Sequence, residues 1–194
     1  MVLASAYPAD RLDSDTARSI ESVFTIGIDR TPLQDVDYVL RQLVQIALRA
    51  LSPAINDPFT AMECIHRLTQ GLRRVSARAR PSPYRYDASG MLRVISHRDE
   101  LLPLVISSLD PIARAGGDNV DVIALLIEAT HAIAKNAVYR DDRDRLSEFA
   151  LSLKRESETR LRREQDRRRI ERVALATGAA VQPAKKKNPS PSKA

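Results

Sequence analysis

The chain has 194 residues, 43% hydrophobic and 29% charged, with 31 Lys+Arg against 25 Asp+Glu and a formal net charge of +6. That length fits one domain with appendages, while the single cysteine, Cys64, excludes an internal disulfide or a Cys-based zinc centre. No apolar stretch reaches the ~18–20 residues of a membrane span, and Met1–Asp10 lacks the pattern of a secretory leader, so a reducing cytoplasm is the expected compartment.

Helical periodicity dominates the chain. Residues 1–13 read as a flexible N-terminus. Ala17, Ile20, Phe24 and Ile28 mark a first amphipathic helix over roughly 14–29. Thr31, Pro32 and Gln34 have the form of a capping box, opening a second helix that runs to Leu51. Its buried stripe is Val36, Leu40, Leu43, Ala47 and Ala50. Ser52-Pro53 ends it, and Asp57-Pro58 starts a third helix as N-cap and first helical residue. Ala61, Ile65, Leu68, Leu72 and Val75 share one face of that helix, and its end is rich in arginine.

Tyr84-Arg85-Tyr86 and Leu92-Arg93-Val94 alternate around Asp87–Gly90, which predicts a β-hairpin. A lone hairpin is marginal in water, so Tyr84, Tyr86, Leu92 and Val94 are expected to lean on the helices. A fourth helix spans roughly 97–115, with Pro111 expected to kink or split it. A fifth covers about 119–138, with Val120, Ile123, Ile127 and Ala134 on its face. A sixth starts near Asp141 and continues to about Ala176.

The basic character is concentrated at the C-terminus. Residues 154–194 hold 13 Lys+Arg and 5 Asp+Glu, and the rest of the chain is close to neutral. Over 154–177 only Leu161, Ile170 and Val173 interrupt the charge, which predicts a projecting, solvated helix laced by Glu156/Arg160, Glu158/Arg162 and Glu164/Arg168 pairs. The composition of 178–194 predicts a disordered basic tail. The fold class is therefore mainly α: a compact bundle of about six helices over 14–153 with one small hairpin, an extended charged helix and a tail.

The run Arg30-Thr31-Pro32-Leu33-Gln34-Asp35, followed by Arg41-Gln42-Leu43 and by Arg49-Ala50-Leu51-Ser52-Pro53-Ala54-Ile55-Asn56-Asp57-Pro58-Phe59-Thr60-Ala61, resembles the signature of the DUF2254 family. The resemblance implies a block of transmembrane helices followed by a soluble, mainly helical domain, to which this chain would correspond. It departs from the pattern at Val39-Leu40, where a glycine is usual, and at Gln45, where an acidic residue is usual.

Asp35, Gln42 and Arg49 lie seven apart and so share one line bordering the apolar stripe of the second helix. Together with Arg30, Ser52, Asn56, Asp57 and Thr60 they form the candidate binding ridge. Two readings stand side by side: these residues satisfy turn and cap groups, or they face a ligand or partner. No nucleophile–base pair is present in a recognisable order, so no enzymatic role and no cofactor is expected.

Glu63/His66 and Glu128/His131 have the spacing of di-metal bundle ligands. Glu63 and His66 point away from the apolar face of their helix, so no metal site is expected. The second candidate surface is basic: Arg167, Arg168, Arg169, Lys185, Lys186 and Lys187. It could meet anionic lipid or, through sequence-blind electrostatics, nucleic acid. No aromatic residue lies in 154–194 for base stacking. The expected role is a cytoplasmic interaction or regulatory domain, peripheral at the inner face of the membrane. Its expected partner is a membrane protein or a second copy, with an anionic lipid surface as a further contact. Nucleic-acid binding through the C-terminus is the alternative.

Overall fold

The computed structural model describes residues 5, 12–24, 35–96 and 100–178. These form seven helices and one two-stranded sheet: α1 (Ser14–Ser22), α2 (Val36–Ala50), α3 (Pro58–Ser76), β1 (Tyr84–Tyr86), β2 (Leu92–Ile95), α4 (Leu101–Ala115), α5 (Val120–Asn136), α6 (Arg140–Arg160) and α7 (Glu164–Gly178). The mainly α class holds. The chain divides into two units, residues 1–38 and 39–194.

In the first unit, Asp13 Oδ1 accepts from Thr16 N at 2.7 Å and caps α1. The Thr16 backbone and hydroxyl bonds hold that carboxyl below its ordinary range. The helix closes at Ser22, earlier than its periodicity suggests, with Phe24 N donating to Glu21 O. None of its residues is buried. The start of α2 also differs from expectation. Asp35 Oδ1 accepts from Tyr38 N at 3.1 Å, so Asp35 serves as the cap and the helix begins at Val36. Thr31, Pro32 and Gln34 lie outside the described residues.

The second unit is organised around α5. A helix apolar on all sides belongs inside, and Val122, Ile123, Leu126, Ile127, Thr130, Ile133 and Ala134 are all buried. Helices α3, α6 and α7 pack on it, and α4 packs against α3, α5 and α6. On α2 the buried stripe is Leu40, Val44, Ala47 and Ala50, while Val36, expected inside, is exposed. On α3 the stripe is Ala61, Cys64, Ile65, Leu68, Leu72 and Ser76, with Val75 packed at its edge. Burial, with a smaller push from Glu63, raises the Cys64 thiol above its ordinary value.

Helix α4 runs unbroken through Pro111. The proline lies near its end, so it forfeits one backbone bond late in the helix. Gly116 then closes the α4–α5 turn. A Cβ there would lie 2.8 Å from Val122 Cγ1 and 3.2 Å from Leu51 Cδ1, a space that only glycine leaves open. Asn119 caps α5 by accepting from Asp121 N and Val122 N.

The charged C-terminal stretch is not one projecting helix. It breaks at Leu161–Arg163, and α7 returns to pack on α5 and α6. Leu161 and Ile170 are buried, and Val173 and Ala174 pack at the core edge. Arg167 Nε donates to Leu161 O at 2.8 Å across the break, and Arg160 Nη1 donates to Arg114 O at the end of α4. Of the expected pairs, Glu164–Arg168 forms at 3.2 Å, but Glu158 takes Lys154 instead. Arg162 lies in the break, where helical spacing no longer applies. Sparse apolar residues suffice here because α5 supplies the opposing surface. The tail, 179–194, lies outside the described residues, as do Ile28 and Arg30.

The hairpin forms as expected, with Tyr84 opposite Ile95, Arg85 opposite Val94 and Tyr86 opposite Leu92. A register shift between Arg85 and Tyr86 sets Tyr84, Tyr86, Leu92 and Ile95 on one face and Val94 on the other. The expectation that this face leans on the helices is not met: every strand residue is exposed. The turn, not packing, holds the hairpin. Asp87 accepts from Ser89 N, Ser89 Oγ, Met91 N and Arg93 Nε, at 2.6 to 2.9 Å. The Ser89 hydroxyl and then Arg93 hold its carboxyl well below the usual range. Gly90, at φ 78°, supplies the left-handed residue that turn requires.

Candidate functional site

The α2–α3 junction is a tight polar turn. Ser52 N and Oγ both donate to Arg49 O, and Ile55 N and Asn56 N both donate to Ser52 O. Asp57 N donates to Ala50 O at 2.8 Å, tying the start of α3 to the end of α2. Asn56 holds φ 47°, a left-handed conformation that asparagine tolerates better than most residues. Asp57 caps α3 through Thr60 N at 3.1 Å and Thr60 Oγ1 at 2.6 Å. The Thr60 hydroxyl, then its backbone N–H, holds the Asp57 carboxyl below its ordinary range. Ser52, Asn56, Asp57 and Thr60 are therefore committed to building the turn.

Gln42 and Arg49 are not committed in this way. Both are exposed on α2, and neither side chain bonds another described residue. It is the Arg49 carbonyl, not its guanidinium, that serves the turn. Val39 and Ile46 share the outer face with them, at the three- and four-residue spacing of one helical line. Ile55 and Phe59 flank the junction, and Phe59 is 78% exposed. From the sequence, Val39 stood out only as a departure from the family pattern, and none of the four was read as part of a surface. The signal was present, since Val39 and Ile46 fall off the buried stripe.

The basic candidates are largely engaged. Arg169 Nη2 pairs with Asp121 at 2.6 Å, fastening α7 to the first turn of α5. Arg168 pairs with Glu164, and Arg167 caps α6. Lys185, Lys186 and Lys187 lie outside the described residues. The two Glu-x-x-His pairs do not converge. Glu63 is held by Arg67 at 2.8 Å, His66 and Glu128 are exposed, and only His131 is buried.

His131 links α5 to the end of α7. Thr177 Oγ1 donates its one proton to Val173 O at 2.7 Å, so it accepts from His131 Nδ1–H at 2.9 Å. That proton is shared with Ile127 O, also at 2.9 Å. The ring is thus the Nδ1-protonated tautomer, and a second proton would have to enter at Nε2, beside Gly178. Burial lowers the pKa, offset in part by the Ile127 carbonyl. Just below the ordinary value of about 6.5 the unfolded chain takes up a proton that the folded chain refuses. Stability is therefore expected to fall as pH drops through 6.5 toward the lowered value. His131→Gln should flatten that slope in pH-dependent melting.

A second polar cluster lies at the α5–α6 connection. Arg80 forms an ion pair with buried Asp142, and its guanidinium stacks 4.7 Å from the Tyr139 ring centre. Arg80 N donates to Tyr139 Oη at 3.0 Å. The cluster borders a cleft of about 80 Å³ that also touches Ser76, Arg78 and Glu100. Sites for drug-sized ligands run to roughly 300 Å³ or more, so this cleft is too small for one.

The DUF2254 family model, described as a predicted membrane protein, matches residues 1–132. The chain belongs to the DUF2254 family. It is similar to uncharacterised proteins of Mycobacterium bovis and of two strains of Mycobacterium tuberculosis, at 37% identity over 113 residues. That stretch is 58% of this chain and 22% of each relative, so the match spans about a fifth of their length. No solved structure matches. Among the described residues of this DUF2254 chain, no helix is long and apolar enough to cross a membrane. The DUF2254 match takes in the α2–α3 turn and most of α5, and it stops short of α6 and α7.

Proposed function

We propose that this DUF2254 chain is a non-enzymatic interaction module that docks onto a membrane-embedded partner from the cytoplasmic side. One observation carries the reading. Within the signature, part of the residues build the α2–α3 turn, while Gln42 and Arg49 stand outward on the α2 face that carries exposed Val39 and Ile46, and Ile55 and Phe59 are exposed at the turn. The fold uses none of these six in its core. Exposed arginine and aromatic side chains are the composition of interface hot spots.

The family description supports a membrane setting. The small Arg80–Asp142 cleft and the dispersed carboxylates and histidines support binding over chemistry. The test is capture of the tagged chain with solubilised membranes. Arg49→Ala and Phe59→Ser should each release the captured membrane protein while leaving the melting temperature unchanged. Capture that survives both substitutions would reject this surface.

A further inference from the structure

The β1–β2 hairpin offers a second surface, independent of the α2–α3 ridge. Tyr84, Tyr86, Leu92 and Ile95 form one continuous apolar face, and none of the described helices covers it. Isolated two-stranded hairpins are marginal. This one stays ordered through the Asp87 turn network, which leaves its face free for another surface. The stretch of sequence from the end of α3 through the hairpin is rich in arginine. Residues 73–96 hold six arginines (Arg73, Arg74, Arg78, Arg80, Arg85 and Arg93) and one acid, Asp87. Arg80 and Arg93 are neutralised by Asp142 and Asp87. Arg73, Arg74 and Arg78 are exposed and make no ion pair with a described residue, whereas Arg85 Nη1 donates to the Ser82 and Tyr84 carbonyls.

We propose that the hairpin is an anchor for an anionic bilayer surface. The Tyr84–Tyr86–Leu92–Ile95 face enters the headgroup–acyl boundary, and Arg73, Arg74 and Arg78 meet lipid phosphates. The chemistry selects this occupant. Tyrosine has an apolar ring and a polar tip, which suits it to the interface. Arginine stems lie along apolar surface while their heads reach outward to phosphate. A second copy is disfavoured, because a two-fold contact would bring the same positive arginines face to face. Aliphatic Leu92 and Ile95 give no stacking platform for bases.

The sequence contains no tryptophan, so Tyr86→Trp in the full chain creates a single reporter. Its emission should move to the blue with vesicles of equal parts phosphatidylcholine and phosphatidylglycerol, and stay unchanged with phosphatidylcholine alone. Brominated acyl chains should quench it, and added salt should weaken the response. In the chain without the reporter, the Tyr84→Ser/Leu92→Ser pair should lower affinity for the same vesicles about tenfold. It should leave the melting temperature unchanged, because that face packs on none of the described helices. Removing one of Arg73, Arg74 or Arg78 should cost roughly fivefold. Unshifted emission on the anionic vesicles would overturn the proposal, even if the chain co-sediments with them through another segment. A blue shift that grows with protein concentration in the absence of lipid would overturn it in favour of self-association. Either result leaves the α2–α3 capture experiment standing.

Discussion

Ile170→Ala is expected to lower the unfolding free energy by about 3 kcal/mol, the usual cost of removing most of a fully buried isoleucine. Ile170 is the one buried residue of α7 and is 0% exposed. On a projecting helix the same change would cost almost nothing, so the measurement separates the two arrangements directly. For a chain of this size the shift corresponds to a melting temperature lower by on the order of 10 °C. Local release should accompany the global loss. The Leu161–Arg163 break contains trypsin-sensitive arginines, and Arg167 and Arg169 hold α7 beside it. Faster tryptic cleavage at Arg162 and Arg163 in the variant, below its melting range, is the second readout. An unchanged melt together with unchanged cleavage would mean that α7 contributes nothing to the fold.

Asp142→Ala is expected to cost about 2 kcal/mol, read from denaturant melts. Removing one partner of a buried ion pair strands the other, which typically costs ~3–5 kcal/mol. The figure is discounted because the Arg80 side chain is 22% exposed, against 4% for Asp142, and keeps some access to water. The Tyr139 ring and its hydroxyl remain in place to hold Arg80. Replacing both partners with apolar residues, as in Arg80→Met with Asp142→Leu, should recover most of the loss. If Asp142→Ala is neutral, the loop after α3 is not pinned to the α5–α6 connection by charge.

The polar elements separate by the distance over which they act. Asp57 caps α3 from three residues away, and Asn119 caps α5 from two or three. Asp87 organises a turn within six residues. Such contacts leave a mark in residue order: the Asp57 cap and the turn over Asp87–Gly90 were legible, and the Asn119 cap, equally local, was not singled out. The Arg80–Asp142 pair spans 62 positions and the His131–Thr177 bond 46. No local pattern announces either, and an arginine after a helix reads first as a dipole partner.

The candidate site divides in the same way. Its turn, from Ser52 to Thr60, follows from the properties of serine, proline, asparagine and aspartate. Its outward face does not, because Val39, Ile46 and Phe59 look like any apolar residues until their burial is known. The hairpin shows the same limit, since alternation marks an apolar face but not what covers it.

Residue order by itself determined the mainly α class, the Asp57 cap, the α2–α3 turn, the hairpin and the likeness to DUF2254. Only the tertiary structure decided that α5 is central, that α7 folds back on it, and which apolar faces stay open. Helix propensity is almost uniform over 154–177, where no glycine or proline marks a stop. The break comes instead from burying Leu161 and Ile170 against α5, a gain that exists only once distant parts of the chain have met.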